Sequence, residues 1–299
     1  MTATTAPGVA LTRARQSFAA VFGNGQLGLD ELRRNLDAMM TEPELAEDVS
    51  VEETTVGGVR ALEVVAGEAG DGVLVWLHGG GYVMGSPRGY SHAAAALSRS
   101  LGMPVIVPDY RLAPENLFPA ALDDAAAVLD AVIAEHGAER TAIGGDSAGG
   151  GLTCAVLVHA RDRGAHLPAV GVTVSPLADF TASGSSITTN SATDPVITVR
   201  SLTSLGAAYL HDRDRALPLA SPVYADMSGL PPLLFLASDS EILLDDAVRL
   251  SENVIAAGGV GDLSVYSDTC HAWTLFTDFL PAACDAVAEI SEFIKTAMS

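Results

Sequence analysis

The stretch that most constrains the fold is a serine set among glycines, GGDSAGGG at residues 144–151. It follows a short apolar run, residues 141–144, and precedes an apolar stretch of helix length, residues 150–160. The serine therefore lies at a strand-to-helix corner. Residues 145–149 match G-x-S-x-G, the nucleophile elbow, in which small flanking residues let the backbone turn tightly and hold the hydroxyl above a sheet. A glycine-rich turn without chemistry can match the same short pattern, so the surrounding sequence has to decide.

Strand-like and helix-like segments alternate over most of the chain. Two β-rich runs, residues 49–56 and 59–65, are separated by Gly57-Gly58 and predict a hairpin. Six more apolar runs follow at residues 73–77, 105–107, 141–144, 170–174, 233–237 and 263–266. An antiparallel start followed by this alternation predicts an α/β fold, with a mostly parallel eight-stranded sheet and helices on both faces.

Two segments stand outside that alternation. Residues 1–45 carry apolar positions at helical spacing, with a Gly-Asn-Gly break at residues 23–25, and predict two amphipathic helices. Residues 176–229 are too long for a simple crossover and contain a helical segment from about residue 198 to 210. This insertion would lie above the carboxyl edge of the sheet, where α/β active sites lie. The predicted division is residues 1–45 (cap), 46–177 (core), 178–215 (inserted cap segment) and 216–299 (core).

Charge restricts the partners. The 299 residues include 16 Lys and Arg against 37 Asp and Glu, a net charge of −21. Such a chain repels nucleic acid and anionic membrane surfaces, so a small neutral substrate is expected. The three cysteines have no metal-ligand or disulfide spacing, and no apolar run has signal-peptide or membrane-span character. We therefore expect a cytoplasmic protein without stable membrane association, metal or organic cofactor; a homodimer is a possible assembly.

A second glycine motif follows the apolar run of residues 73–77. It reads His78-Gly79-Gly80-Gly81-Tyr82. Consecutive glycines let backbone N–H groups point into a cavity, and an HGGG loop completes the oxyanion hole of many lipases and esterases. The N–H groups of Gly80, Gly81 and Ala148 are therefore the predicted donors to an oxyanion.

The serine needs a base and an acid that orients the base. Among the histidines, His271 follows the last predicted strand, where a loop above the sheet edge would present it. The acid should lie between serine and histidine in the chain, after the strand at residues 233–237. Asp239 and Glu241 both stand at that strand end, and the residues alone leave the choice between them open.

Several long motifs in the right order resemble the hormone-sensitive-lipase-like family of bacterial esterases, within the α/β-hydrolases. They are HGGGYVMGS at 78–86, PDYRLAPENLFPAALDD at 108–124, GDSAGG at 145–150, SPLADFTASGSS at 175–186, ASPVYADMSGLPPLL at 220–234, and His271. The resemblance implies a serine carboxylesterase that forms an acyl-enzyme. Members with a compact cap generally prefer short- to medium-chain esters, and lactones or acetyl groups are alternative substrates.

The resemblance also favours one acid. Many members carry a D-P-L-x-D-E-G motif whose first aspartate is the triad acid, and that position falls on Glu241, with Asp239 as the alternative. Asp245 and Asp246 are then expected to be the charged first turn of a helix. The loop around Pro114 is expected to be structural, with Arg111 and Glu115 holding it against the elbow.

Two alternative functions are each disfavoured by a single residue. A non-catalytic ligand-binding relative would lack His271, and a dehalogenase or epoxide hydrolase of this fold would carry an aspartate in place of Ser147. Apolar residues of the oxyanion loop and the predicted cap are the candidate substrate contacts. These are Tyr82, Met84, Phe18, Phe22, Met39, Met40, Leu205 and Tyr209.

Overall fold

A computed structural model describes residues 7–23 and 27–299. The strands are β1 (Val49–Val56), β2 (Val59–Ala66), β3 (Val73–Leu77), β4 (Val105–Pro108), β5 (Thr141–Asp146), β6 (Val170–Val174), β7 (Leu233–Ser238) and β8 (Gly261–Tyr266). Each predicted run is therefore a strand, with ends that differ by at most two residues. Part of the predicted Gly-Asn-Gly break, residues 24 and 25, lies outside the described residues.

The strands form one sheet in the order β1-β2-β4-β3-β5-β6-β7-β8. The hairpin of β1 and β2 turns at Gly57 and Gly58, whose φ angles of 58° and 82° suit a two-residue turn. β2 pairs antiparallel with β4, and every later pairing is parallel. The predicted mostly parallel eight-stranded sheet is confirmed.

The helices cover both faces of the sheet. They are α1 (Pro7–Phe22), α2 (Leu29–Thr41), α3 (Ser91–Leu101), α4 (Ala120–His136), α5 (Ala148–Asp162), α6 (Ser186–Thr189), α7 (Val199–Leu210), α8 (Leu244–Ala256) and α9 (Pro281–Ala297). α3 packs with α9, whereas α4 and α5 pack together and α8 covers β7 and β8. Because both faces are covered, β3, β5, β6 and β7 are buried along their whole length.

The two segments predicted as a cap are both helical. α1 and α2, here called the N-terminal helix pair, match the two amphipathic helices expected before residue 45. The inserted segment, residues 178–215, contains α6 and α7. α7 begins at a capping box in which Thr198 and Ser201 satisfy each other's backbone N–H. The domain boundaries themselves remain a prediction. In the described part of the chain, no helix is both long and apolar enough to cross a membrane.

Candidate active site

Ser147 is the single residue that connects β5 to α5. Its φ of 54° and ψ of −120° are strained for a residue with a side chain, a cost of about 1 to 3 kcal/mol that the surroundings must offset. The Ser147 N–H donates to Val174 O at 2.8 Å, and the Ser147 carbonyl accepts from Leu177 N at 2.8 Å. A Cβ on Gly145 would lie 2.5 Å from the carbonyl oxygens of Leu77 and Gly149. The elbow therefore requires glycine there, as predicted.

The loop after β3 is shaped by residues with positive φ angles. Gly80 and Gly81 have φ angles of 118° and 64°, and Tyr82, although not a glycine, has 64°. Among the residues that the structure describes, the N–H groups of Gly80, Gly81 and Ala148 donate no hydrogen bond. Unpaired backbone donors are uncommon in a folded protein and are what an oxyanion hole needs.

A buried carboxylate ties this loop to the elbow. Asp146 accepts hydrogen bonds from Tyr90 Oη at 2.6 Å and from Trp76 Nε1 at 3.1 Å. The Tyr90 hydroxyl in turn accepts from Gly79 N at 2.8 Å. Burial raises the pKa of Asp146 to about 6, against the lowering effect of these hydrogen bonds. Sequence reasoning did not assign Asp146 or Tyr90 a role, because the partners of Asp146 are 56 and 70 residues away in the chain.

His78, the first residue of the same motif, is structural in its contacts. Its ring stacks on Tyr110 with centroids 4.2 Å apart, and its Nδ1 lies 2.8 Å from Gly79 O. Complete burial lowers the pKa of His78 to about 4, so the ring is neutral at physiological pH. A neutral Nδ1–H that donates to a carbonyl holds the loop and leaves proton transfer to another histidine.

That histidine is His271, which the fold brings against Ser147. His271 Nε2 lies 2.9 Å from Ser147 Oγ, and His271 Nδ1 lies 2.7 Å from Glu241 Oε2. The other carboxylate oxygen, Glu241 Oε1, accepts from Ser238 N at 2.8 Å. A carboxylate can only accept at Nδ1, so Nδ1 carries the proton and Nε2 is free to accept from the serine hydroxyl. The three side chains are nearly inaccessible to solvent.

The charge around His271 favours its protonated form. Burial by itself lowers the pKa of His271, but the hydrogen bond and charge of Glu241 outweigh it, with smaller contributions from Asp194 and Asp146, and the pKa is raised. Ser175 supports the loop that carries His271, because its hydroxyl accepts from the N–H of Ala272 at 3.1 Å. The imidazolium that would form during catalysis is thus stabilised in place.

Asp239, the alternative acid, lies elsewhere. Its side chain is exposed and forms no hydrogen bond with His271. The geometry therefore brings Glu241, and not Asp239, into line with Ser147 and His271.

Asp245 and Asp246 both lie in the first turn of α8, as expected. Asp245, at the start of α8, is half-buried and accepts from the N–H of Ser186 at 3.1 Å. Asp246 instead is buried, and one of its oxygens accepts from Ala178 N at 2.8 Å and Asp179 N at 2.9 Å. Ala178 and Asp179 follow β6, so these two hydrogen bonds hold the chain in place just after that strand.

For the loop around Pro114, the expectation that Arg111 and Glu115 hold it against the elbow is wrong. Arg111 forms its ion pair with Asp124 of α4, and Glu115 forms a bidentate pair with Arg33 of α2. Neither side chain reaches the elbow. The loop is held by α4 on one side and by the N-terminal helix pair on the other.

The predicted substrate contacts other than Leu205 fall into four groups. Tyr82 and Tyr209 are buried and stack on each other at 3.9 Å between centroids. Phe18 packs edge-on against Phe276 at 5.2 Å and also stacks with Phe22. Met39 and Met40 line a cavity of about 140 Å³ whose walls include none of the three triad residues. Met84 is buried in the oxyanion loop. For these residues, contact with substrate stays a prediction.

Leu205 differs from the others because it touches the oxyanion loop. A Cβ placed on Gly81 would lie 2.5 Å from Leu205 Cδ2, so the leucine of α7 packs directly on this glycine. Leu205 is half-buried, and it lies over a residue whose N–H is one of the unpaired donors.

Fold and geometry together define a serine hydrolase of the α/β-hydrolase class. A family model described as the alpha/beta hydrolase fold matches residues 74–275. An acetyl-hydrolase of Streptomyces hygroscopicus is 37% identical over 245 residues, 81% of this chain and 82% of that protein. The carboxylesterase NlhH of Mycobacterium tuberculosis is 32% identical over 290 residues, 91% of this chain and 90% of that protein.

Solved structures agree closely. An esterase from the bacterial hormone-sensitive lipase family superimposes with a TM-score of 0.95 at 39% identity, covering 99% of this chain and 100% of that one. A hormone-sensitive lipase from a metagenome library gives a TM-score of 0.92 at 35% identity, with 98% and 99% covered. The chain belongs to the bacterial hormone-sensitive lipase family of α/β-hydrolases, and it is a carboxylic-ester hydrolase.

Proposed function

We propose that this carboxylic-ester hydrolase cleaves short- to medium-chain esters through an acyl-enzyme on Ser147. The observation that carries the proposal is the continuous hydrogen-bonded path from Ser147 Oγ through His271 to Glu241. A serine alcohol is a poor nucleophile by itself, and this arrangement supplies the base and the group that orients the base.

The proposed reaction has two halves. His271 Nε2 removes the proton from Ser147 as Oγ attacks the ester carbonyl, and the N–H groups of Gly80, Gly81 and Ala148 stabilise the oxyanion. His271 then gives that proton to the departing alkoxide, which leaves as the alcohol. A water molecule, deprotonated by His271, attacks the acyl-serine and releases the carboxylic acid and free Ser147.

A small acyl group is supported by the space above the oxyanion loop. Leu205 packs on Gly81, and Ser147 itself is only 7% exposed. An acyl chain that enters beside Gly81 must therefore share the space with Leu205. The relative named acetyl-hydrolase supports a small acyl group as well. Substrates are proposed to be neutral because the protein carries a net charge of −21.

The first experiment replaces Ser147 with alanine and measures hydrolysis of p-nitrophenyl acetate and butyrate. Loss of the nucleophile is expected to lower kcat by about six orders of magnitude, as in other serine hydrolases. A fluorophosphonate should label the native protein at Ser147 only. Ser50→Ala, which removes an exposed hydroxyl of β1, is the control and should keep full activity. Near-normal hydrolysis by folded Ser147→Ala would overturn the proposal.

The second experiment tests the acyl-chain limit. Native protein, Leu205→Ala and Leu205→Phe are compared on p-nitrophenyl esters from acetate to laurate. Leu205→Ala should shift the optimum towards longer chains, and Leu205→Phe should shift it towards acetate. Unchanged chain preference in both variants would remove Leu205 from the acyl site while leaving the role of Ser147 intact.

The cytoplasmic location and the homodimer also stay proposals. Fractionation of the native host and sedimentation of the purified protein would test them. A membrane-bound fraction would contradict the first, and a single monomeric species across concentrations would contradict the second.

A further inference from the structure

The inserted segment reaches the loop that carries the triad acid. This acid loop, residues 239–243, joins β7 to α8 and has no regular structure of its own. Its backbone groups need partners outside secondary structure, because buried carbonyl and N–H groups are rarely left unpaired. The inserted segment supplies several of them from residues 186–194.

Asn190 makes the central contacts. Its Nδ2 donates one hydrogen bond to Asp239 O at 2.9 Å and another to Glu241 O at 2.9 Å. One amide group therefore holds the carbonyls on both sides of Ser240. The two contacts fix the backbone from which the Glu241 side chain extends towards His271.

Neighbouring side chains extend the same set of contacts. Thr193 Oγ1 donates to Ser240 O at 2.9 Å, and Asp194 Oδ2 accepts from Ile242 N at 2.9 Å. Ser186 Oγ donates to Ile242 O at 2.7 Å. The carbonyls from Asp239 to Ile242 are thus each bound by a side chain of the inserted segment.

We propose that Asn190, assisted by Thr193, is a positioning residue that holds Glu241 in register with His271. Asn190 touches neither His271 nor Ser147 by hydrogen bond, so it acts through the backbone of the acid loop. The proposal rests on the proposed triad and adds that the inserted segment is part of the catalytic support as well as a cover. Few side chains can donate to two carbonyls at once, which gives asparagine a specific role here.

The charged groups that face His271 make the pKa of His271 a measure of whether Glu241 is in place. They are Glu241 from the acid loop, Asp194 from the inserted segment and Asp146 from the elbow, while Arg15 of α1 faces the adjacent Cys270. If the acid loop shifts, Glu241 stabilises the imidazolium less and the pKa of His271 falls. The acid limb of the kcat/KM profile would then move to lower pH, since the base must be neutral to act.

The test compares Asn190→Ala with two controls. Ser191→Ala removes an exposed hydroxyl that bonds only within the inserted segment, to Thr188 O. Asn253→Ala removes another amide-to-carbonyl bond, to Val223 O, from the last turn of α8. Asn190→Ala should lower kcat about 10- to 100-fold, the size expected for a displaced catalytic group, with little change in KM. Its acid limb should move to lower pH, whereas both controls should keep the native kcat and pH profile even where Asn253→Ala lowers Tm.

Two further variants guard against a misfolded protein. Asn190→Asp preserves the size of the side chain but cannot donate, so it should lose at least as much kcat as Asn190→Ala. Thr193→Val removes a single donor from the same loop and should show a smaller loss in the same direction. Native kcat and pH profile in folded Asn190→Ala, or in Thr193→Val where the former does not fold, would overturn the inference. A failure of the proposed triad would be recognised separately, because the Ser147→Ala variant would then still hydrolyse the ester.

Discussion

The N-terminal helix pair and the inserted segment attach to different halves of the active site. From α2, Arg33 Nε donates to Val83 O at 2.7 Å, next to the oxyanion loop, and its guanidinium pairs with Glu115. The inserted segment instead binds the backbone of the acid loop through Asn190 and Asp194. The backbone contacts of Arg33 are part-buried and its pair with Glu115 is exposed, whereas the bonds from Ser186 and Asp194 to Ile242 are buried.

This difference separates two kinds of support. Solvent-exposed ion pairs contribute about 0 to 1 kcal/mol to the free energy of unfolding, since water competes for both partners. Contacts to buried backbone groups matter more, because their loss leaves a carbonyl or N–H without a partner. The inserted segment is therefore expected to affect catalysis more strongly than the helix pair. The oxyanion loop is also supported from inside the core, by Tyr90 and Asp146.

The largest effect is expected at the acid itself. Glu241→Gln should lower kcat by roughly three to four orders of magnitude with little change in KM, because the amide no longer fixes the His271 tautomer or stabilises the imidazolium. Asp239→Asn, two residues away and exposed, should remain active. Steady-state kinetics and thermal melts on both variants check this, and the reverse pattern would move the triad acid to Asp239.

The next effect tests the support of the oxyanion loop from the core. Tyr90→Phe removes the hydroxyl between Gly79 N and Asp146, and kcat should fall by about tenfold because the N–H donors shift. Tyr266→Phe is the control, since its hydroxyl also bonds a carboxylate, Glu289, but on α9. Equal kcat values for the two variants would show that the loop keeps its place without Tyr90.

A smaller effect is expected from the helix pair. Arg33→Ala should lower kcat by less than about fivefold, because its pair with Glu115 is exposed and the carbonyls of Val83 and Ala113 that it leaves are only part-buried. Arg34→Ala removes the neighbouring exposed arginine, which forms no ion pair among the described residues, and should leave kcat unchanged. If Arg33→Ala cost as much as Asn190→Ala, the contrast between the two segments would be wrong.

The smallest effect concerns the charges that face His271. Glu241, Asp194 and Asp146 raise the pKa of His271, so the acid limb of native kcat/KM should lie above the ordinary histidine value of about 6.5. Asp194→Asn removes one negative charge and the acceptor of the Ile242 N–H, and both changes should move that limb to lower pH, by less than Glu241→Gln does. A pH profile of kcat/KM for the three proteins gives the order directly. A limb that moves to higher pH in Asp194→Asn would contradict the assignment of that charge.

Much of the site could be predicted because its parts are local in the sequence. The strand, the glycines and the serine of the elbow lie within ten residues, and their steric requirement is a property of the backbone there. The glycines of the oxyanion loop follow β3 for the same reason. His271 and Glu241 were reached by combining strand ends with the resemblance to a family. The residues alone leave Asp239 and Glu241 equivalent, since both acids stand at the end of the same strand.

By itself, then, the sequence determined the eight strands, the elbow, the oxyanion glycines and the histidine, because periodicity and glycine content act over short distances. Only the tertiary structure decided which acid meets His271, what buries Asp146 and Asp246, and which segment holds the acid loop. Those contacts join residues 30 to 70 positions apart. Burial and hydrogen-bond partners at that separation depend on how the chain packs, so the pattern of residues along the sequence does not predict them.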